Sequence, residues 1–309
     1  MNDPGTILNE VKKAIVGKDD VLRMALTAIL ARGHILLEDI PGVGKTTMAV
    51  AFSRALGLKY KRVQFTPDVL PSDVVGFSVY DKETGEMVYK PGAILCNLFL
   101  ADELNRATSR TQSALLEAME ENNVTVDGVT HRIPDPFIVI ATQNPVGASG
   151  TQLLPDSQLD RFMVRLSLGY PSPEDELDLL NRKQRVNMME EVKQAVDGEG
   201  MIAIRSAVDE IYVDEKIMDY AIRLSGATRK HLELIQGASP RATLAVISMA
   251  KANAWIEGRD FVVPADIRQI YPATITHRVI LSAEAKASGR KAEDIIHEIL
   301  TRTTSPAVR

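Results

Sequence analysis

"HILLEDIPGVGKTTMAV", His34 to Val50, is the stretch that decides the fold. An apolar run reaches Glu38-Asp39, meets Pro41-Gly42-Val43-Gly44-Lys45-Thr46, and passes into residues with helical spacing up to Gly57, a suitable helix stop. A Gly-rich turn between strand and helix lets backbone N–H groups converge on phosphate oxygens, and the helix N-terminus adds favourable partial charge. The usual loop reads Gly-x-x-x-x-Gly-Lys-Ser/Thr. Here Asp39 holds the first glycine position. Aspartate tolerates a left-handed strand exit, but its charge does not help bind an anion. Its carboxylate is therefore expected to point away from phosphate or to pair with a base. Lys45 is expected to reach the β- and γ-phosphates, and the Thr46 hydroxyl to bind Mg2+.

Working outward, "YKRVQF", "NLFLADE", "FIVIATQN" and "MVRLSL" read as further strands, most of them nearly continuous apolar runs suited to burial on both faces. "SRTQSALLEAMEEN" between two of them is helical, with Ser109 and Gln112 at capping-box spacing and Leu115, Leu116 and Met119 on one stripe. This alternation indicates an α/β fold with a mostly parallel sheet flanked by helices. Two segments interrupt it. Residues 66–94 are too long for a simple connection and turn at "DKETGE"; residues 123–133 alternate around Asp127-Gly128, a strong hairpin signal. After Tyr170 the patterns are helical only, with Ile217, Tyr220, Ala221 and Leu224 on one face and further helices near Asp266 and Glu293. Ser239-Pro240 is a good cap and first turn for a helix to about Trp255, while "DGEG", 197–200, reads as a loop. The expected organisation is a nucleotide-binding core over 1–170 and an all-helical domain over 171–309.

Open α/β sheets bind ligands at the carboxyl ends of their strands. Asp102-Glu103 ends one strand, so Asp102 suits the Mg2+ shell and Glu103 suits polarising a water for in-line attack. Gln143-Asn144 ends the next, where the Asn144 amide can bond the attacking water or the γ-phosphate.

The bulk numbers set limits. With 309 residues the chain can bury a substantial core, and 45% hydrophobic and 25% charged residues are ordinary for a globular protein. The net charge of -5 argues against a nucleic-acid-coating or polybasic membrane protein. The N-terminus lacks a secretory pattern and no apolar run reaches the ~20 residues of a membrane span, so a cytoplasmic protein without membrane insertion is expected. The single cysteine, Cys96, suits a reducing compartment and reads as a buried small hydrophobe. The five histidines lack metal-ligand spacing.

"PGVGKTT", "LFLADELNRA", "TQSALLEAMEE", "VIATQNP", "LDRF" and "GASPRA" occur in the order seen in AAA+ ATPases, and in detail they resemble the MoxR branch. The resemblance runs from "IVGKDDVL" at Ile15 to "HRVILSAEA" at the C-terminal end. It implies a P-loop core with a helix-2 insert at 66–94 and a hairpin before sensor 1 at 123–133, then a smaller all-α lid. It implies ATP and Mg2+ as cofactors, with Gly42, Val43, Gly44, Lys45, Thr46 and Thr47 around the phosphates. Val16-Gly17 resembles the segment lining the adenine pocket. Arg161 is similar to the arginine finger presented to a neighbouring subunit, and Arg241 matches sensor 2. The implied activity is ATP hydrolysis by a ring, a hexamer, that remodels or matures protein clients, among them proteins with von Willebrand A-type domains. Two rival readings are a nucleic-acid motor of a related branch, which the acidic balance disfavours, and a non-hydrolysing nucleotide switch. Arg106 and Arg110 stay outside the catalytic set.

Overall fold

The computed structural model describes residues 4–144, 154–185 and 187–307. Strands β1 (Ile35–Glu38), β2 (Tyr60–Gln64), β3 (Gly76–Tyr80), β4 (Met87–Pro91), β5 (Leu98–Asp102), β6 (Asn123–Val126), β7 (Val129–Arg132), β8 (Ile138–Gln143) and β9 (Val164–Leu166) follow in that order. The main sheet has the order β2-β5-β8-β1-β9. Pairing is parallel between β2 and β5, β5 and β8, and β8 and β1. Every residue of β5 and β8 is buried, including the polar Asp102, Thr142 and Gln143 that end their apolar runs. Parallel register brings the strand ends together: Gln64 lies opposite Asp102, and Glu38 opposite Gln143.

The chain forms two compact units, one of 1–22, 34–154 and 167–202, the other of 23–33, 155–166 and 203–309. In the first, the helix Lys45–Ala55 packs on β5 and on the helix Pro4–Lys12. It stops at Leu56, followed by Gly57 at φ +59°, a left-handed residue just past the end. The helix Ser109–Glu121 is capped one residue earlier than the sequence pattern suggests: Thr108, not Ser109, accepts the Thr111 N–H, because Thr108 keeps an extended backbone. Residues 71–75 form a short helix leading into the antiparallel pair β3–β4. β6 and β7 pair around Asp127-Gly128, both at positive φ, as a tight right-twisted hairpin demands. The two hairpins meet where the Tyr89 ring stacks on His131 at 3.6 Å. Cys96 is fully buried, which pushes its thiol up to about 11 and keeps it inert.

In the second unit the helices Glu215–Lys230, Pro240–Ile256, Pro264–Ile275 and Ala292–Arg302 pack on one another. Ile217, Tyr220, Ala221 and Leu224 are all buried, as their spacing indicates. Ser239 caps its helix by accepting the Ala242 N–H, with Pro240 in the first turn. The helical reading of this region gains a two-stranded addition, β10 (Leu234–Gln236) against β11 (Ile280–Leu281). "DGEG" is a helix start rather than a loop: Asp197 accepts the Gly200 N–H, and a helix runs from Gly198 to Asp209. Among the described residues no helix is long and apolar enough to cross a membrane.

Candidate nucleotide site

The turn after β1 delivers a helix start without a side-chain cap. Gly44 is the N-cap at φ +99° and Gly42 sits at φ +86°. A Cβ on Gly42 would meet nothing within 4 Å, so glycine serves there for its backbone freedom. Uncapped, the helix opens with N–H groups of Lys45, Thr46 and Thr47 aimed along its dipole, which is an anion-binding arrangement. Lys45 Nζ donates to the carbonyls of Asp39 (2.5 Å) and Ile40 (3.0 Å). Burial lowers the pKa of Lys45, opposed by the neighbouring carboxylates of Asp39, Asp102 and Glu103.

Asp39 departs from its expected geometry in its backbone. It is not among the residues at positive φ, so no left-handed backbone explains it. Of the two arrangements expected of its carboxylate, pairing with a base is not found among the described residues. Oδ2 accepts the Ser167 hydroxyl (3.0 Å) and the N–H groups of Leu168 (2.5 Å) and Gly169 (2.8 Å), while Oδ1 accepts the Ile40 N–H (3.1 Å). The charge is satisfied by a bend of backbone far along the chain.

At the tip of β5, the hydroxyl of Thr142 on β8 donates to Asp102 Oδ1 (2.6 Å) and accepts the Glu103 N–H (2.8 Å). Thr142 is completely buried, so the two carboxylate-bearing residues hang from one hydroxyl within the sheet. Arg62 on β2 grips the other Asp102 oxygen through Nε (3.1 Å) and Nη2 (2.7 Å). Glu103 adopts a left-handed conformation, φ 56° and ψ 46°. Its carboxylate takes an ion pair from Arg106 at 2.8 Å. Motifs do not reveal Thr142 and Arg62; the signal for these two is the parallel register, which puts β2 and β8 on either side of β5, whereas Arg106 reaches Glu103 from three residues on.

Ile15, next to Val16-Gly17, comes close to the phosphate loop: a Cβ on Gly44 would lie 3.8 Å from its Cδ1. Gly17, at φ +69°, leaves room for the Asp175 carboxylate, which any Cβ would strike at 2.1 Å. Asn144 follows β8 and its carbonyl accepts from Asn105 Nδ2 at 3.3 Å. These residues share the first unit with Gly42–Thr47, Asp102 and Glu103. Arg161 and Arg241 belong to the second unit, where both lie near Asp160 and Arg278.

Residues 34–164 match the family described as ATPase family associated with various cellular activities, and residues 226–299 match an AAA lid domain. Chaperone MoxR1 of Mycobacterium tuberculosis is 37% identical over 97% of this chain and 81% of its own length. Protein MoxR of Methylorubrum extorquens is 34% identical, over 96% and 93%. The chain belongs to the MoxR family of AAA+ ATPases. The uncharacterized Bacillus subtilis protein YeaC is 45% identical to this MoxR-family chain, over 99% of it and 95% of YeaC. A crystal structure of a Cytophaga hutchinsonii protein described as an ATPase superimposes with a TM-score of 0.90 at 37% identity, covering 97% of the MoxR-family chain and 94% of the other.

A nucleotide, which membership in this family implies, fits the uncapped helix start: its N–H groups and Lys45 supply donors and positive charge for phosphate oxygens. Mg2+ fits the donor set, because Thr46 and Asp102 are hard oxygen ligands and such ions take only one or two carboxylates beside phosphate. Among the described residues no cluster of three or more His, Cys, Asp or Glu offers a dedicated metal cage.

Proposed function

We propose that this protein is an Mg2+-dependent ATPase that works as a ring, a hexamer, and remodels or matures protein clients. The observation that carries the reading is the pairing of an uncapped, glycine-led helix start with the Asp102-Glu103 strand tip beside Lys45. In this reading Gly42, Val43, Gly44, Lys45, Thr46 and Thr47 hold the phosphates, and Val16-Gly17 line the base. Thr46 and Asp102 hold Mg2+, which when bound neutralises phosphate charge. Glu103 orients and polarises the attacking water, and Asn144 bonds that water or the γ-phosphate. Arg161 acts on the nucleotide of the next subunit and Arg241 on the phosphates, where a fixed planar cation stabilises the spreading charge. Relatives named MoxR and chaperone MoxR1 support protein clients, and von Willebrand A-type domains are the proposed client class, met in the cytoplasm.

Glu103 would have to leave Arg106 to face a water, and their ion pair is partly exposed and correspondingly weak. The test is purified protein assayed for ATP hydrolysis across concentrations, with sedimentation in parallel. Turnover that rises with ATP-driven oligomerisation and is abolished in Glu103→Gln is expected. Failure to assemble, together with a Glu103→Gln variant as active as the parent, would sink the reading.

A further inference from the structure

The loop carrying Arg161 is held by a buried charge for which the catalytic scheme has no use. Arg278 is 5% exposed and its Nη2 donates to two main-chain carbonyls, Asp160 O at 3.2 Å and Phe162 O at 2.7 Å, the residues on either side of Arg161. His277, also buried, lies with Nε2 3.0 Å from the same Phe162 carbonyl. Arg278 Nε stands 3.3 Å from Asp160 Oδ1, an ion-pair distance without hydrogen-bond alignment. The Asp160 carboxylate in turn accepts the hydroxyl of Ser239 (3.1 Å), the cap of the helix whose first turn bears Arg241. All of these residues lie in the second unit.

A guanidinium buried this deeply is expensive to desolvate, and hydrophobic packing would serve stability as well. What the guanidinium offers instead is a fixed planar cation whose Nη2 holds two carbonyls at once. Burial, with Arg241 nearby, pulls Arg278 down to about 10, opposed by Asp160, so it stays charged at neutral pH. The backbone flanking Arg161 and the cap of the Arg241 helix are thus tied to one anchor.

We infer that Arg278 is a positioning residue that mounts Arg161 for its action on a neighbouring subunit, with Asp160 linking that mount to the helix of Arg241. The inference rests on the proposed trans action of Arg161. It predicts that Arg278→Gln lowers turnover at least tenfold, as Arg161→Ala does, while its own nucleotide binding, read with a fluorescent ATP analogue, changes less than twofold.

Mixed assemblies separate this from a general structural role. Glu103→Gln subunits keep a sound Arg161 but cannot hydrolyse ATP themselves. Mixed with Arg161→Ala they should restore activity above either parent alone, and mixed with Arg278→Gln they should do the same. Arg278→Lys, which keeps a cation but loses the planar guanidinium whose Nη2 meets both carbonyls, serves if the glutamine variant does not fold, and is expected to be slow alone and restored by mixing. Restoration for Arg161→Ala but none for the Arg278 variants, or an Arg278 variant with parental turnover alone, overturns the inference. No restoration for Arg161→Ala overturns the trans reading itself, and this inference with it.

Discussion

Two carboxylates stand at strand exits of one sheet, each 7% exposed, and they have opposite fates. Asp39, after β1, takes four hydrogen bonds, three of them from main-chain N–H groups. The Asp102 carboxylate, at the end of β5, is held among the described residues by side chains alone, Thr142 from within the sheet and the half-exposed Arg62 from its edge. Side chains can swing away from a carboxylate, whereas a main-chain bend cannot without local unfolding. Equal burial therefore conceals a structural acid in one case and a group open to new partners in the other.

Substitution should pull the two apart. Asp102→Asn is expected to lower turnover on the order of a hundredfold or more, because the charge that would balance Mg2+ is gone. Its denaturant midpoint should move little. Asp39→Asn should do the reverse, losing about 2–3 kcal/mol of stability in the same denaturation experiment, since an amide cannot accept where its own NH2 faces the Leu168 and Gly169 N–H groups. An Asp39→Gly variant with ATP affinity raised tenfold or more would erase the distinction, by showing that this carboxylate repels phosphate after all. Thr142→Val keeps the shape but orphans Asp102 Oδ1 and the Glu103 N–H. A stability loss of about 1–3 kcal/mol and a measurable drop in turnover should follow. The smallest effect belongs to Arg106→Ala. Its partly exposed pair with Glu103 contributes about 1 kcal/mol or less, so thermal melting should barely change.

Much of this was legible in the sequence because strand, turn and helix signals are local. The runs around Leu36, Leu100 and Ile140 became buried parallel strands, and Asp127-Gly128 turned the hairpin. Ser239-Pro240 capped its helix for the same local reason. The partners were not legible. Nothing near Asp39 announces Ser167–Gly169, and Thr142 looks like any polar residue in "ATQN" until parallel pairing sets it against Asp102. The Thr108 cap and the helix beginning at Gly198 differ from the sequence pattern at the scale of one to a few residues, where several polar side chains compete for the same N–H groups. The grip of Arg278 on the Arg161 loop joins segments more than a hundred residues apart, a distance at which residue spacing carries no signal.

The left-handed backbone of Glu103 has a consequence for anyone breeding sturdier variants of this protein. A glutamate held there is disfavoured by roughly 1–2 kcal/mol, while glycine or asparagine would sit at ease. Selection by heat alone would therefore enrich Gly or Asn at position 103 and discard the proposed water-activating group. Thermal screens of this chain need a turnover assay beside them.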